Sequence, residues 1–144
     1  ALVLASGTVP LRGAAVVPVA GILVGGAMTA TSLAGRRLRE ELATRRGELE
    51  AALALGLLPR DAVLEIARPS AATALVPPLD QTRTVGLVTL PGAYVGVLLG
   101  GGSPAAAGAA QLLVLIGLLT VEVGAVWIVT ELVARGRLLP DLPR

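Results

Sequence analysis

The sequence predicts an all-α polytopic membrane protein. It has about three transmembrane helices and one charged helix-turn-helix segment between the first and the second. Three observations carry this. The 144 residues are 54% hydrophobic with a mean hydropathy of +0.80, and only 15% are charged, where a soluble domain carries about 25%. The charges are unevenly placed, so that residues 13–35 and 84–121 contain none. Arginines stand at the ends of the apolar stretches, at Arg36, Arg37 and Arg39 and again at Arg135 and Arg137.

Composition narrows the chemistry. There is no Cys, which excludes disulfides and thiolate metal sites, and no His, which excludes imidazole ligands and His general bases. All twelve basic residues are Arg. Phe is absent and Trp and Tyr occur once each. Ala, Leu, Val and Gly fill the apolar runs instead, which suffices where lipid is the solvent.

Residues 1–12 are mixed and resemble the tail of an earlier membrane segment followed by a short loop. The chain starts at Ala1 inside an apolar stretch, so it is expected to be a fragment or a processed chain. Residues 13–35 form an uncharged stretch of 23 residues, long enough to cross about 30 Å of hydrocarbon. Pro18 can kink that helix. Gly21, Gly25, Gly26 and Ala30 give small-residue spacings that suit close helix packing, and composition bias accounts for them equally well. The arginines that follow mark a cytoplasmic end by the positive-inside rule.

Residues 36–79 form the charged region. Over 36–58 the pairs Arg36–Glu40, Arg37–Glu41, Glu41–Arg45 and Arg46–Glu50 are spaced i,i+4. Leu38, Leu42, Leu49 and Leu53 make an apolar stripe. A helix continuing from the first crossing is expected to end near Gly47 or Gly56. Gly56 suits a helix C-terminus and Pro59 a first helical turn. The prediction is therefore helix, sharp turn, helix. Residues 61–79 read as an interfacial helix interrupted by Pro69, Pro77 and Pro78.

A single helix over 84–121 would be about 57 Å long, too long for one crossing. Gly100-Gly101-Gly102-Ser103-Pro104 divides it. Two crossings follow, over 82–100 and 105–133, with the loop between them outside by parity. Arg135 and Arg137 close the last helix on the cytoplasmic side.

Two places could carry chemistry inside the apolar layer. Glu122 lies within the last crossing, where a carboxylate is costly and is by default a functional candidate; a shifted helix would place it near the headgroups instead. Pro91, Gly92, Gly96 and Gly100 give a bent, small-faced helix that suits either a translocation path or ordinary tight packing. Asp80 is a weaker candidate, since Arg83 can pair with it. No nucleotide-binding loop, hydrolase constellation or basic-aromatic nucleic-acid pattern is present. The chain itself is expected to bind no cofactor and no nucleic acid, and to act as no enzyme.

The stretch from Glu50 to Pro69 reads Glu-Ala-Ala, then Gly56, Ile66 and Pro69. That spacing resembles the signature by which ABC-transporter permeases dock on their ATPase, with Arg68 where a Leu is usual. The resemblance implies an ATPase-coupling role for Arg45, Arg46, Glu50, Ala51, Gly56 and Asp61. A second, longer match is similar to the FetB-type permease family of iron-export ABC systems, related to plant aluminium-tolerance half-transporters. It rests on Glu50, Ala51, Leu53, Ala54, Leu55 and Gly56, then Pro77, Asp80, Gly86, Leu87, Val88, Leu90, Pro91, Gly92, Gly96, Leu98 and Leu99, then Pro104, Ala107 and Gln111. The family's Met-Met-Thr-Gly-Gln core is Ala93, Tyr94, Val95, Gly96 and Val97 here. The resemblance implies a multi-pass permease subunit in the plasma or inner membrane, working as a homodimer. ATP would be bound and hydrolysed by a separate partner. Asp80, Pro91, Gly92, Gly96, Gln111 and Glu122 would line the path or pack its helices. Export of iron, another metal ion or a small solute is implied, with a non-transporting membrane scaffold as the alternative.

Overall fold

The computed structural model describes residues 13–84 and 92–138 of the chain. These residues are helical, with no strand among them: α1 Gly13–Thr44, α2 Arg46–Ala54, α3 Pro59–Ala72, a 3-10 turn Thr73–Leu75, α4 Val76–Thr84, α5 Gly92–Leu99 and α6 Pro104–Ala134. Two of them are long and apolar enough to cross a membrane, over Pro18–Thr44 and Pro104–Ala134.

The chain forms two compact units. Ala1–Ala27 with Pro77–Val121 make one, and Met28–Val76 with Glu122–Arg144 the other.

In the second unit, α1 runs on through Arg36, Arg37 and Arg39 without a break, as the continuous-helix expectation had it. At 32 residues it is about 48 Å long, more than the about 30 Å of a hydrocarbon layer, so one end projects beyond it. The helix breaks at Arg45 (φ −102°, ψ 29°), two residues before Gly47. The leucine stripe survives this break. Leu38, Leu42 and Leu49 are the largest fully buried side chains, and Leu53 packs partly buried against the same cluster. Ala62, Val63, Ile66 and Ala67 of α3 and Val126, Val129 and Val133 of α6 complete it.

The prolines interrupt less than their positions suggest. Pro69 lies inside α3 and exposed. Its missing N–H removes one bond near the end of the helix, and the chain tightens into the 3-10 turn only four residues later. Pro77 and Pro78 stand in the first turn of α4, where backbone N–H groups have no helical partner in any case.

In the first unit, α5 and α6 are joined at the expected loop. The Gly101 N–H donates to the Leu98 carbonyl (3.0 Å) and the Gly102 N–H to that of Val97 (2.9 Å), which closes α5 in a Schellman turn. Gly102 is required by close approach: a Cβ there would lie 2.6 Å from Val97 Cγ1. Ser103 then caps α6, its Oγ accepting from the Ala106 N–H at 3.2 Å. The crossing expected over 82–100 is only partly described. It holds the end of α4, residues 85–91 outside the described set, and α5. At eight residues, α5 is about 12 Å long.

Candidate functional site

The charged region builds a knuckle standing on a leucine base, all within the second unit. Its first part is the joint at Arg45. The Arg45 guanidinium pairs with Glu48 of α2 through both Nε (2.8 Å) and Nη2, and with Glu41 of α1 through Nη1 (3.3 Å). Arg45 therefore fastens the two helices that meet beside it. Hydrogen bonding to this guanidinium holds the Glu48 carboxyl below the usual carboxylate range. Among the described residues the expected Arg36–Glu40 and Arg37–Glu41 pairs do not form. Glu41 takes Arg45 instead.

The second part is the reversal. The Gly56 N–H donates to the Leu53 carbonyl (2.9 Å) and the Leu57 N–H to that of Ala52 (3.1 Å), a Schellman closure of α2. It needs a positive φ, and Gly56 has φ 90° with open space around its Cα; an L side chain there would be strained. Pro59 then starts α3 at its first position. Between the two helices the chain exposes three leucines: Leu55, which is 83% exposed, Leu57 and Leu58. Side by side at one turn they form an exposed apolar patch. Charged groups flank them. Glu50, exposed, accepts from Arg46 Nε at 3.1 Å, and Arg60 Nη1 donates to Asp61 at 3.2 Å. Ala51 is exposed on the outer side of α2. The structure thus brings the expected Arg45, Arg46, Glu50, Ala51, Gly56 and Asp61 together along one helix-reversal-helix element.

The third part was not legible in the spacing. Arg60, the second residue of α3, reaches 71 residues along the chain to Glu131 near the end of α6. Its Nε donates to Oε1 and its Nη2 to Oε2, each at 2.9 Å. Arg135 Nε donates to the same Oε1 at 2.7 Å. Glu131 is only 15% exposed in its side chain. A bidentate fork of this kind is both stronger and more directional than a single ionic contact. Only its i,i+4 half, Glu131–Arg135, could have been anticipated from the sequence.

The residues expected within the apolar layer are not gathered in the same way. Glu122 is buried, at 5% exposure, with Oε2 lacking a hydrogen-bond partner among the described residues, and the Gln111 Oε1 is likewise buried and unpartnered. Gly92 and Gly96 have open space where a Cβ would stand, so no close helix approach rests on them. Asp80 is exposed and forms no ion pair with Arg83 among the described residues. Pro91 lies outside the described residues. No cluster of three potential metal-ligating side chains occurs among the described residues.

The sequence was compared with those of known proteins. The profile of the uncharacterised protein family UPF0014 matches residues 1–137. The chain is 44% identical over 115 residues to the UPF0014 membrane protein STAR2 of Oryza sativa subsp. japonica, covering 80% of this chain and 40% of that one. It is 42% identical over 99 residues to the protein ALUMINUM SENSITIVE 3 of Arabidopsis thaliana, covering 69% and 36%. It is 33% identical over 120 residues to the "Probable iron export permease protein FetB" of Escherichia coli (strain K12), covering 83% and 46%. The chain therefore spans less than half the length of the curated relatives it matches. No solved structure matches it. With a family profile over nearly its whole length, two apolar helices of crossing length and membrane proteins as relatives, this chain is a multi-pass membrane protein and belongs to the UPF0014 family.

Proposed function

We propose that the chain is the membrane-embedded part of an ABC-transporter permease subunit, with the α2–α3 reversal as the handle that a separate ATPase subunit grips. The observation that carries this reading is the reversal itself. Glu50, Gly56 and Pro69 keep the spacing of a permease docking signature, and that spacing builds an exposed apolar tip flanked by charge on a buried leucine base. Leu55, Leu57 and Leu58 offer the partner an apolar anchor, and Glu50 offers a carboxylate to a basic group on it. Tips of this sort supply affinity through desolvated apolar contact and orientation through the charged rim.

The cargo reading is export of a metal ion, iron in the first instance, through a homodimer of permease chains in the plasma or inner membrane. The FetB relative supports it by its name. The loss of the family's Met, Thr and Gln groups between Ala93 and Val97 weighs toward another small solute. ATP is bound and turned over on the partner chain.

Co-purification tests the docking. Glu50→Arg inverts the rim charge, and Gly56→Val forces a β-branched side chain into a positive φ. Each is expected to lower recovery of the cognate ATPase by about tenfold, while the permease itself remains in the membrane fraction. Undiminished recovery with both variants removes the coupling assignment and leaves a non-transporting scaffold as the better reading.

A further inference from the structure

The leucine base holds the reversal against α6 through Val126, Val129 and Val133. Burial of such side chains is strong but non-directional. Small, smooth Ala and Val surfaces can slide past one another with little change in buried area. A push on the knuckle would then be absorbed at that contact. The Arg60–Glu131 fork supplies what the apolar contact lacks. It has two parallel bonds in a fixed plane and joins the first turn of α3 to the last turn of α6. Arg135 braces the same carboxylate from α6 itself. Pro59 fixes the backbone immediately before Arg60, so the fork has a stiff anchor at one end. At the other end it holds a helix of 31 residues, about 46 Å long.

We propose that the Arg60–Glu131 fork is the transmission link of the transporter, carrying displacement of the helix reversal into α6. This rests on the permease reading above. Arg60 and Glu131 are positioning residues that touch neither cargo nor nucleotide. Arg60 leaves its outer face free to bear Asp61 while both inner nitrogens hold Glu131, so the ATPase can press beside the fork without occupying it. A lysine in place of Arg60 would keep the charge and lose the plane that fixes direction.

The test uses the permease with its native flanking sequence, reconstituted with its ATPase in liposomes. Ferrous iron is the probe, read by quenching of an entrapped fluorescent chelator. Arg60→Gln and Arg60→Lys are expected to capture the ATPase within about twofold of wild type and to hydrolyse ATP, while iron moved per ATP falls by about tenfold. A spin-label pair gives a readout that does not depend on cargo. Cysteines at the exposed positions 65 and 127 of this cysteine-free chain, outside the docking tip, should keep one separation on nucleotide addition in wild type and change it in Arg60→Gln. Wild-type flux per ATP in Arg60→Gln, together with an unchanged 65–127 separation, overturns the link. Failure of the wild-type permease to capture the ATPase overturns the permease reading, and the link with it.

Discussion

At the scale of single residues, Glu122 is the position where folding and function pull apart. Its carboxyl sits at 5% exposure in an apolar helix, with one oxygen unpartnered among the described residues. Leaving a buried acceptor unsatisfied costs about 1–3 kcal/mol. Replacing it by an apolar residue of similar size removes that cost. Glu122→Leu is therefore expected to raise the midpoint of denaturant unfolding in detergent micelles, by about 1–3 kcal/mol in stability. In the same liposome assay Glu122→Leu and Glu122→Gln are expected to lose iron flux. A fall in stability would reveal a partner for this oxygen, and unchanged flux would remove Glu122 from the path. The sequence pointed to this residue because charge inside an apolar run is legible by eye. For Glu131, nine residues later, only the i,i+4 spacing to Arg135 was legible, whereas its importance depends on a partner 71 residues away. Long-range pairing leaves no trace in local spacing.

At the scale of elements, the joint at Arg45 and the reversal at Gly56 differ in how they are held. The reversal is held by backbone geometry, which pH does not touch. The joint is held by charge. Because hydrogen bonding to Arg45 lowers the Glu48 carboxyl from its ordinary value, the pair's contribution is fully present above that ordinary value, about 4.3. It is lost as pH falls through the lower folded-state value. A nitroxide on a cysteine at the exposed, uncrowded position 47 should be restrained at neutral pH and gain mobility below about pH 4. In Arg45→Gln it should be mobile at both. Equal, restrained mobility in the two proteins at all pH values would show that packing alone holds the joint. The helix, turn and helix were readable in order because glycine, proline and leucine spacing each report a local rule. The break stands at Arg45, two residues before Gly47, and α2 ends at Ala54, two before Gly56, so each glycine lies beside the end it signals.

At the scale of the whole molecule, the arginine distribution predicts sidedness. Arg36, Arg37 and Arg39 follow the first apolar stretch and Arg135 and Arg137 the last, and the positive-inside rule assigns such ends to the cytoplasm. With no native cysteine, each introduced cysteine is the chain's single label site. Leu55→Cys is expected to react with a membrane-impermeant maleimide in inside-out vesicles and to resist it in intact cells. Ser103→Cys, in the loop between α5 and α6, is expected to do the reverse. Labelling of both from one side would overturn the assigned topology. The number of crossings was less legible than their location. Hydropathy locates α1 and α6, though α1 runs on past its apolar stretch to Thr44, whereas the stretch over 82–100 mixes proline, glycine and apolar residues and carries no single clear period.

The row formed by Leu38, Leu42 and Leu49 has a consequence for how this stretch can change length. Those side chains point into one core although the helix is interrupted between the second and the third. The knuckle's facing is thus counted off in residues from that row. One residue inserted between Leu42 and Leu49 would turn everything beyond it by about 100° and re-aim Leu55 and Leu58 away from the proposed partner. Seven inserted residues would bring the facing back to within about 20° and carry the tip further outward. Length variation here is therefore quantised: a spacer tolerated at this point should come close to a whole number of turns, about seven, eleven or eighteen residues, acting as an extension of reach and not as a change of direction.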